Sequence, residues 1–270
     1  MSAARLALHQ LRFDQKTFWR NPAAVFFTVA LPLIFLVIFS TVFGNEPIEE
    51  LGGITTVTYY VPAIITLAVV SATMQSLAIA LTIARENGIL KRGRGTPMPS
   101  WVFFAGRVGN AIVVSVMLLV IVTAVGRLVY GVEVPWDRLP AVLVSLAVGA
   151  ASFCCLGVAL TAAIPSEDAA PAIANVVLLP LYFISGIFIP ESEVPDGVLQ
   201  VADFFPVRHF FEAFFTAFDP NTAGAGFEWG DLAVLAGWGL LGFGVAVKFF
   251  RWTPRASERP RRPGRRASAA

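Results

Sequence analysis

The sequence is dominated by long apolar runs separated by short polar segments. The first covers residues 24–43, twenty residues without a charge, of which fourteen are Val, Ile, Leu or Phe. About 20 such residues in a helix cross the hydrocarbon core of a bilayer. Each of these four residue types favours insertion by roughly 0.3–0.6 kcal/mol near the bilayer centre. Further runs cover 59–84, 108–129, 141–164, 171–190 and 232–250. Pro165 and Pro171 bracket the short turn Ser166-Glu167-Asp168, as helix breakers between two spans should. The pattern predicts an all-α membrane protein with six transmembrane helices. A cleaved leader does not fit the first run, because an apolar leader core is shorter, about 7 to 15 residues, and closes on small residues.

Three segments lie outside the runs. In residues 1–22, Arg5, His9, Arg12, Lys16 and Arg20 recur at helical spacing, with Leu8, Leu11 and Phe18 on an adjacent face and Trp19 near the end. This predicts a basic amphipathic helix lying on an anionic leaflet. Between the last two runs, residues 207–218 are rich in Phe but too short to span, which predicts a re-entrant external segment. The tail, 251–270, is basic, suits headgroup contact and is expected to be disordered. The expected organisation is therefore a cytoplasmic amphipathic helix (1–22), a six-helix membrane domain (23–250) and a basic cytoplasmic tail (251–270).

Composition agrees: 56% of residues are hydrophobic and 14% charged, against about 25% charged in soluble domains. With the N-terminus inside, all of the 20 Lys and Arg residues except Arg127, Arg138 and Arg208 fall on the cytoplasmic side. The positive-inside rule then places both termini in the cytoplasm of a bacterial inner membrane.

Absent chemistry narrows the function. Lys16, Lys91 and Lys248 are the only lysines and none follows a glycine, so no phosphate-binding loop exists and the chain is not expected to hydrolyse ATP. His9 and His209 lie apart and outside the runs, and His209, beside Phe210 and Phe211, reads as a packing residue. Cys154 and Cys155 are neighbours in an apolar run, too strained for a disulfide and too few for a metal site. No Asp or Glu falls inside the six runs, so a proton relay is not expected. No catalytic, cofactor or metal residues are assigned. Polar residues inside the runs include Thr66, Ser71 and Gln75 in the second and Asn175 and Ser185 in the fifth. Such groups serve either as glue between helices or as the lining of a substrate path. Pro32, Pro62 and Pro180 offer sites for bends.

Three stretches together resemble the ABC-2 family of exporter permeases. They are Phe18-Trp19-Arg20-Asn21-Pro22 leading into Leu31-Pro32; the loop Arg85-Glu86-Asn87-Gly88-Ile89-Leu90-Lys91-Arg92-Gly93-Arg94-Gly95-Thr96-Pro97-Met98-Pro99 closing at Gly106-Arg107; and Asn175-Val176-Val177-Leu178-Leu179-Pro180 with Phe183-Ile184-Ser185-Gly186-Ile187-Phe188-Ile189-Pro190 and Phe205-Pro206-Val207-Arg208-His209. The resemblance spans roughly residues 10–250, and its nearest branch is similar to daunorubicin-resistance efflux permeases. It implies pairing with a second copy or a homologous permease, and with two ATP-binding subunits that hold ATP and Mg2+. It also implies that the loop after the second span couples to the ATPase, which maps to Arg85, Glu86, Gly88, Lys91, Arg92, Arg94, Thr96 and Pro97. The interfacial residues Arg12, Lys16, Trp19 and Arg20 would brace that interface. A hydrophobic or amphiphilic drug or lipid-like substrate is expected, with membrane lipids but no nucleic acid as partners. The alternatives are polysaccharide or glycolipid export and a scaffold that recruits a soluble partner without transport.

Overall fold

A computed structural model of the chain describes residues 3–44, 47–48, 52–95, 100–189 and 194–254. In chain order the helices are α1 (Ala3–Trp19), α2 (Pro22–Val42), α3 (Thr56–Val70), α4 (Ser76–Glu86), α5 (Ile89–Arg94), α6 (Ser100–Tyr130), α7 (Leu139–Leu160), α8 (Ala170–Ile184), α9 (Asp196–Ala202), α10 (Pro206–Phe218) and α11 (Trp229–Phe249). A two-residue antiparallel pair, β1 (Pro47–Ile48) and β2 (Ile54–Thr55), joins α2 to α3.

α3 and α4 form one helix interrupted by a π turn, Ser71–Gln75, in which the Ser76 backbone N–H reaches back five residues to the Ser71 carbonyl. The combined element is the centre of the molecule: from Val57 to Val70 only Thr58 escapes full burial. α2 and α11 lie at the periphery and leave Phe26, Phe27, Ile34, Leu240, Phe243 and Val247 exposed. Large apolar side chains turned outward suit a protein whose solvent is lipid.

Among the described residues, five helices are long and apolar enough to cross a membrane: Pro22–Val42, Thr56–Glu86, Trp101–Tyr130, Trp136–Leu160 and Trp229–Phe249. The fifth predicted run differs. α8 has 15 residues, about 22 Å at 1.5 Å per residue. It ends because Gly186 turns the chain at φ 83°, where the Tyr59 hydroxyl donates to the Gly186 carbonyl at 2.6 Å. Pro32, Pro62 and Pro180 all lie inside helices.

The phenylalanine-rich segment 207–218 becomes α10, with Phe210, Phe211 and Phe214 fully buried among α3, α7, α8 and α11. A Cβ on Gly149 of α7 would meet the Phe210 ring at 2.1 Å, so only glycine admits that ring. α7 and α11 pack closely through Ser152 against Gly239 and Leu156 against Gly242. Small residues bring helix backbones together where lipid removes the hydrophobic drive.

α1 packs on α6 across Gly106 and Gly109, which face Gln10 and Leu11. Asp14 is buried there, 3.7 Å from Arg107 and accepting a hydrogen bond from Gln10. Burial pushes its carboxyl pKa up, and the Arg107 guanidinium opposes that. The opposite face of α1 exposes Arg5, Arg12, Lys16, Arg20, Leu8, Phe13 and Trp19.

Glu86, Asp137 and Asp231 lie on the long apolar helices, each in a terminal turn, although none falls in an apolar run. On these long apolar helices, carboxylates are therefore confined to the ends.

Candidate functional site: an elbow and a polar seam

The elbow after α4 is built by a helix stop. Gly88 adopts φ 69°, which reverses the chain so that α5 starts at Ile89. The Gly88 N–H donates to the Arg85 carbonyl at 3.0 Å and the Asn87 N–H to the Ile83 carbonyl at 3.0 Å. Leu90, 1% exposed, pins α5 to the body. Lys91 and Arg92 stay exposed, with Arg92 Nη2 donating to the Asn87 carbonyl at 3.2 Å. Arg94 lies in α5, while Thr96 and Pro97 lie outside the described residues.

Arg85 departs from its expected role as a handle for a soluble partner. It is 1% exposed. Nη1 donates to the Thr161 carbonyl at 2.8 Å, Nη2 to the Ile164 carbonyl at 2.7 Å and Nε to Glu86 Oε1 at 2.7 Å. The last carbonyls of a helix lack partners within it and carry partial negative charge. Just past the end of α7 the guanidinium supplies both hydrogen bonds and charge, which is why burying it is tolerated. Asn87 Nδ2 adds a bond to Glu167 Oε2 at 3.0 Å. The elbow is thus fastened to the turn that leads into α8.

α8 carries the second group of predicted residues. Gln75 Nε2 donates to Asn175 Oδ1 at 2.7 Å. The Ser71 hydroxyl pairs with the Tyr182 hydroxyl at 3.0 Å, and the Ser185 hydroxyl donates to the Tyr182 carbonyl at 3.2 Å. Ser71 and Gln75 are the two ends of the π turn, so the extra residue in that turn sets which side chains face α8. The seam includes Tyr182, which sequence periodicity had not singled out. Ser185 is buried, Asn175 is exposed, and Ser71 and Gln75 are half-buried. Thr66 does not join them. It is fully enclosed in the core, its hydroxyl without a hydrogen-bond partner among the described residues. Thr73 and Thr82 bond back to the carbonyls of Val69 and Ala78, as structural hydroxyls in helices do.

The sequence profile of the ABC-2 type transporter family matches residues 10–218, which covers the elbow, the π turn and the α8 seam. The chain belongs to the ABC-2 type transporter family. As a member it is a membrane permease and a transport component rather than a catalytic domain, in a family that typically works with an ATP-binding subunit. This ABC-2 chain is also similar to a Bacillus subtilis (strain 168) protein named "Putative transport permease YvfS", 21% identical over 198 residues, 73% of this chain and 79% of the relative.

A further polar cluster on the same permease lies at the bundle end opposite the elbow, and sequence reasoning had read its histidine as packing. His209 Nδ1 lies 2.7 Å from Asp231 Oδ1 and Nε2 lies 2.7 Å from the Asp203 carbonyl. The Asp203 carboxylate pairs with Arg208 Nε at 2.6 Å. The Asp231 hydrogen bond raises the His209 pKa, with help from Asp203, against the lowering effect of burial. His209 and Asp231 are 22 residues apart and share no motif, so no sequence signal joined them.

Proposed function

We propose that this chain is the permease subunit of an ATP-driven exporter, working as a pair with a second copy or a homologous permease. Two cytoplasmic ATP-binding subunits would hold ATP and Mg2+ and grip the α4–α5 elbow. Lys91 and Arg92 present cations to such a subunit, whereas Arg85 and Asn87 transmit its movement to α8. The observation that carries this reading is the fastening of the elbow to the α7–α8 turn through Arg85. It gives a push on the elbow a rigid route to the Gln75–Asn175 seam.

Both termini then face the cytoplasm of a bacterial inner membrane. α1 lies on the inner leaflet with Arg12, Lys16, Trp19 and Arg20 outward. α8 makes the remaining crossing, and α10 re-enters from the outer side as a separate external segment. The substrate is a hydrophobic or amphiphilic molecule, drug-like or lipid-like, moved outward by alternating access. Ser71, Gln75, Asn175 and Ser185 are the candidate contacts.

Reconstitution with the ATP-binding subunit tests the proposal. Substrate-stimulated ATP turnover that falls when Lys91 and Arg92 are both changed to Glu, with the permease still folded, supports it. Tight binding of the subunit with neither stimulated turnover nor transport would point instead to a scaffold.

A further inference from the structure

At the end of the bundle opposite the elbow, one imidazole joins three elements. His209 stands in the first turn of α10, Asp231 in the first turn of α11 and Asp203 just past the end of α9. Nδ1 lies 2.7 Å from Asp231 Oδ1, and Nε2 lies 2.7 Å from the Asp203 backbone carbonyl. A carboxylate and a carbonyl only accept hydrogen bonds, so each contact needs a proton of its own. A neutral imidazole carries one N–H. The arrangement therefore holds one proton more than a neutral histidine beside an ionised aspartate.

When that proton leaves, two oxygens compete for one N–H. Charge makes the Asp231 carboxylate the stronger acceptor, so the N–H stays on Nδ1. Nε2 is then left with a lone pair facing those of the Asp203 carbonyl, and the contact that fails is the one to α9. Asp231 comes to the ring from α11. The Asp203 carboxylate comes from the end of α9, where Arg208 of α10 pairs with it at 2.6 Å, and Glu212 follows His209 on α10 itself. α3, α7 and α8, which also pack on α10, carry no charged residue. The Asp231 hydrogen bond raises the pKa of the ring, against the effect of burial and with help from Asp203.

α9, which packs on α8, is held lightly enough for one contact to matter. Gly197, Val198, Gln200 and Val201 are exposed, and among the described residues of α9 Ala202 alone is buried. In the Asp203–Arg208 pair the carboxylate is 56% exposed, and such pairs contribute little. Just beyond, Trp238 Nε1 donates to the Phe204 carbonyl at 2.9 Å and its ring lies edge-on to Phe204 at 5.4 Å; neither contact depends on a titratable proton. We propose that α9 is a proton-released flap against α8: the doubly donating His209 clasps its last turn to α10 and α11, and loss of one proton frees it to swing about the Phe204–Trp238 contact. Proton concentration at that end of the bundle then sets how often α9 stands away from α8.

The test uses the full chain in detergent with Cys154 and Cys155 both changed to Ala. A single cysteine replaces either the buried Ala202 or the exposed Val198, and the rates at which a thiol reagent labels the two are compared. Their ratio corrects for the pH dependence of the reagent. Labelling at 202 relative to 198 should rise roughly tenfold as the charged hydrogen bond is lost, between about pH 5.5 and about pH 8.5, on either side of the ordinary histidine value of about 6.5. With His209→Gln the ratio should be high at both ends. With Asp231→Asn the rise should remain but move to lower pH, a shift that a merely structural contact would not produce. Where a cysteine variant does not fold, amide hydrogen exchange of the unsubstituted chain gives the same reading: residues 198–205, corrected for intrinsic pH dependence, should speed up relative to residues 210–217 of α10. A ratio that stays flat with His209 present, an equal rise with His209→Gln, or exchange that accelerates alike in both segments overturns the proposal. No ATPase or transport readout is involved, so these outcomes stand apart from those of the exporter test.

Discussion

Arg85 Nη2 donates to the carbonyl of Ile164 at 2.7 Å, across 79 residues of sequence, and the same guanidinium reaches Thr161 and Glu86. One side chain therefore joins the end of α4 to the end of α7. Replacing Arg85 with Ala removes the donor to two carbonyls and to the Glu86 carboxylate. Breaking a buried charged pair costs about 3–5 kcal/mol, so the variant should melt at a clearly lower temperature in detergent. Arg85→Lys keeps the charge but not the planar fork and should fall between the two. An unchanged melting temperature for Arg85→Ala would refute the assignment.

The Gln75–Asn175 hydrogen bond is accessible to its surroundings, and such contacts between membrane helices average about 0.6 kcal/mol. Gln75→Leu and Asn175→Leu should consequently fold with near-normal melting temperatures. If the seam contacts substrate, each variant should lose substrate stimulation of ATP turnover several-fold while basal turnover persists. Undiminished stimulation in both would leave the seam as structural glue.

Protonation of His209 should strengthen the tie between α10 and α11. Asp231 and the Asp203 carbonyl and carboxylate face the ring, and Arg208 is occupied by Asp203. The folded pKa is raised above 6.5. The stabilisation is therefore complete below about pH 6.5 and is lost as pH climbs through the raised folded value. Thermal melts should drop by roughly 2–4 °C across that window, as expected for a loss of about 1 kcal/mol. His209→Gln should flatten the dependence. A wild-type curve as flat as that of the variant would exclude the tie.

Gly157 permits α7 to lie against the π turn, where an added Cβ would sit 2.7 Å from the Met74 carbonyl oxygen. Because the obstacle is backbone, Gly157→Leu must displace one helix from the other. Overpacking of this kind costs about 1–3 kcal/mol. The expected outcome is a lower melting temperature together with impaired transport, measured against a neutral exchange such as Val176→Leu on the exposed face of α8.

How much of this was legible in the sequence depends on the range of the interaction. Long apolar runs act locally, through insertion energy and helix hydrogen bonding, and they located α2, α7 and α11 to within a few residues, whereas α6 begins eight residues before its run, at Ser100. The run 171–190 overshot because Gly186 breaks the helix against Tyr59 and Phe211, a tertiary contact with no local cue beyond the glycine. Charge patterning placed Arg85 with Lys91 and Arg92 as one basic loop. It could not tell that Arg85 points inward, since the carbonyls it satisfies belong to α7. Hydroxyls and amides picked out by type divided in the same way: Ser71, Gln75, Asn175 and Ser185 converge on α8, while Thr66 is sealed in the core. The π turn itself leaves no compositional mark.

The fastening of the elbow has a mechanical corollary. α8 is a rod of 15 residues whose preceding turn is tied to the elbow and whose far end holds Tyr182. Tilting a rod of about 22 Å by about ten degrees swings its tip by roughly 4 Å. That stroke exceeds the 3.0 Å now separating the Ser71 and Tyr182 hydroxyls. A small rotation at the elbow would suffice to unzip the contact at the other end, with α8 serving as the crowbar and Arg85 as its grip.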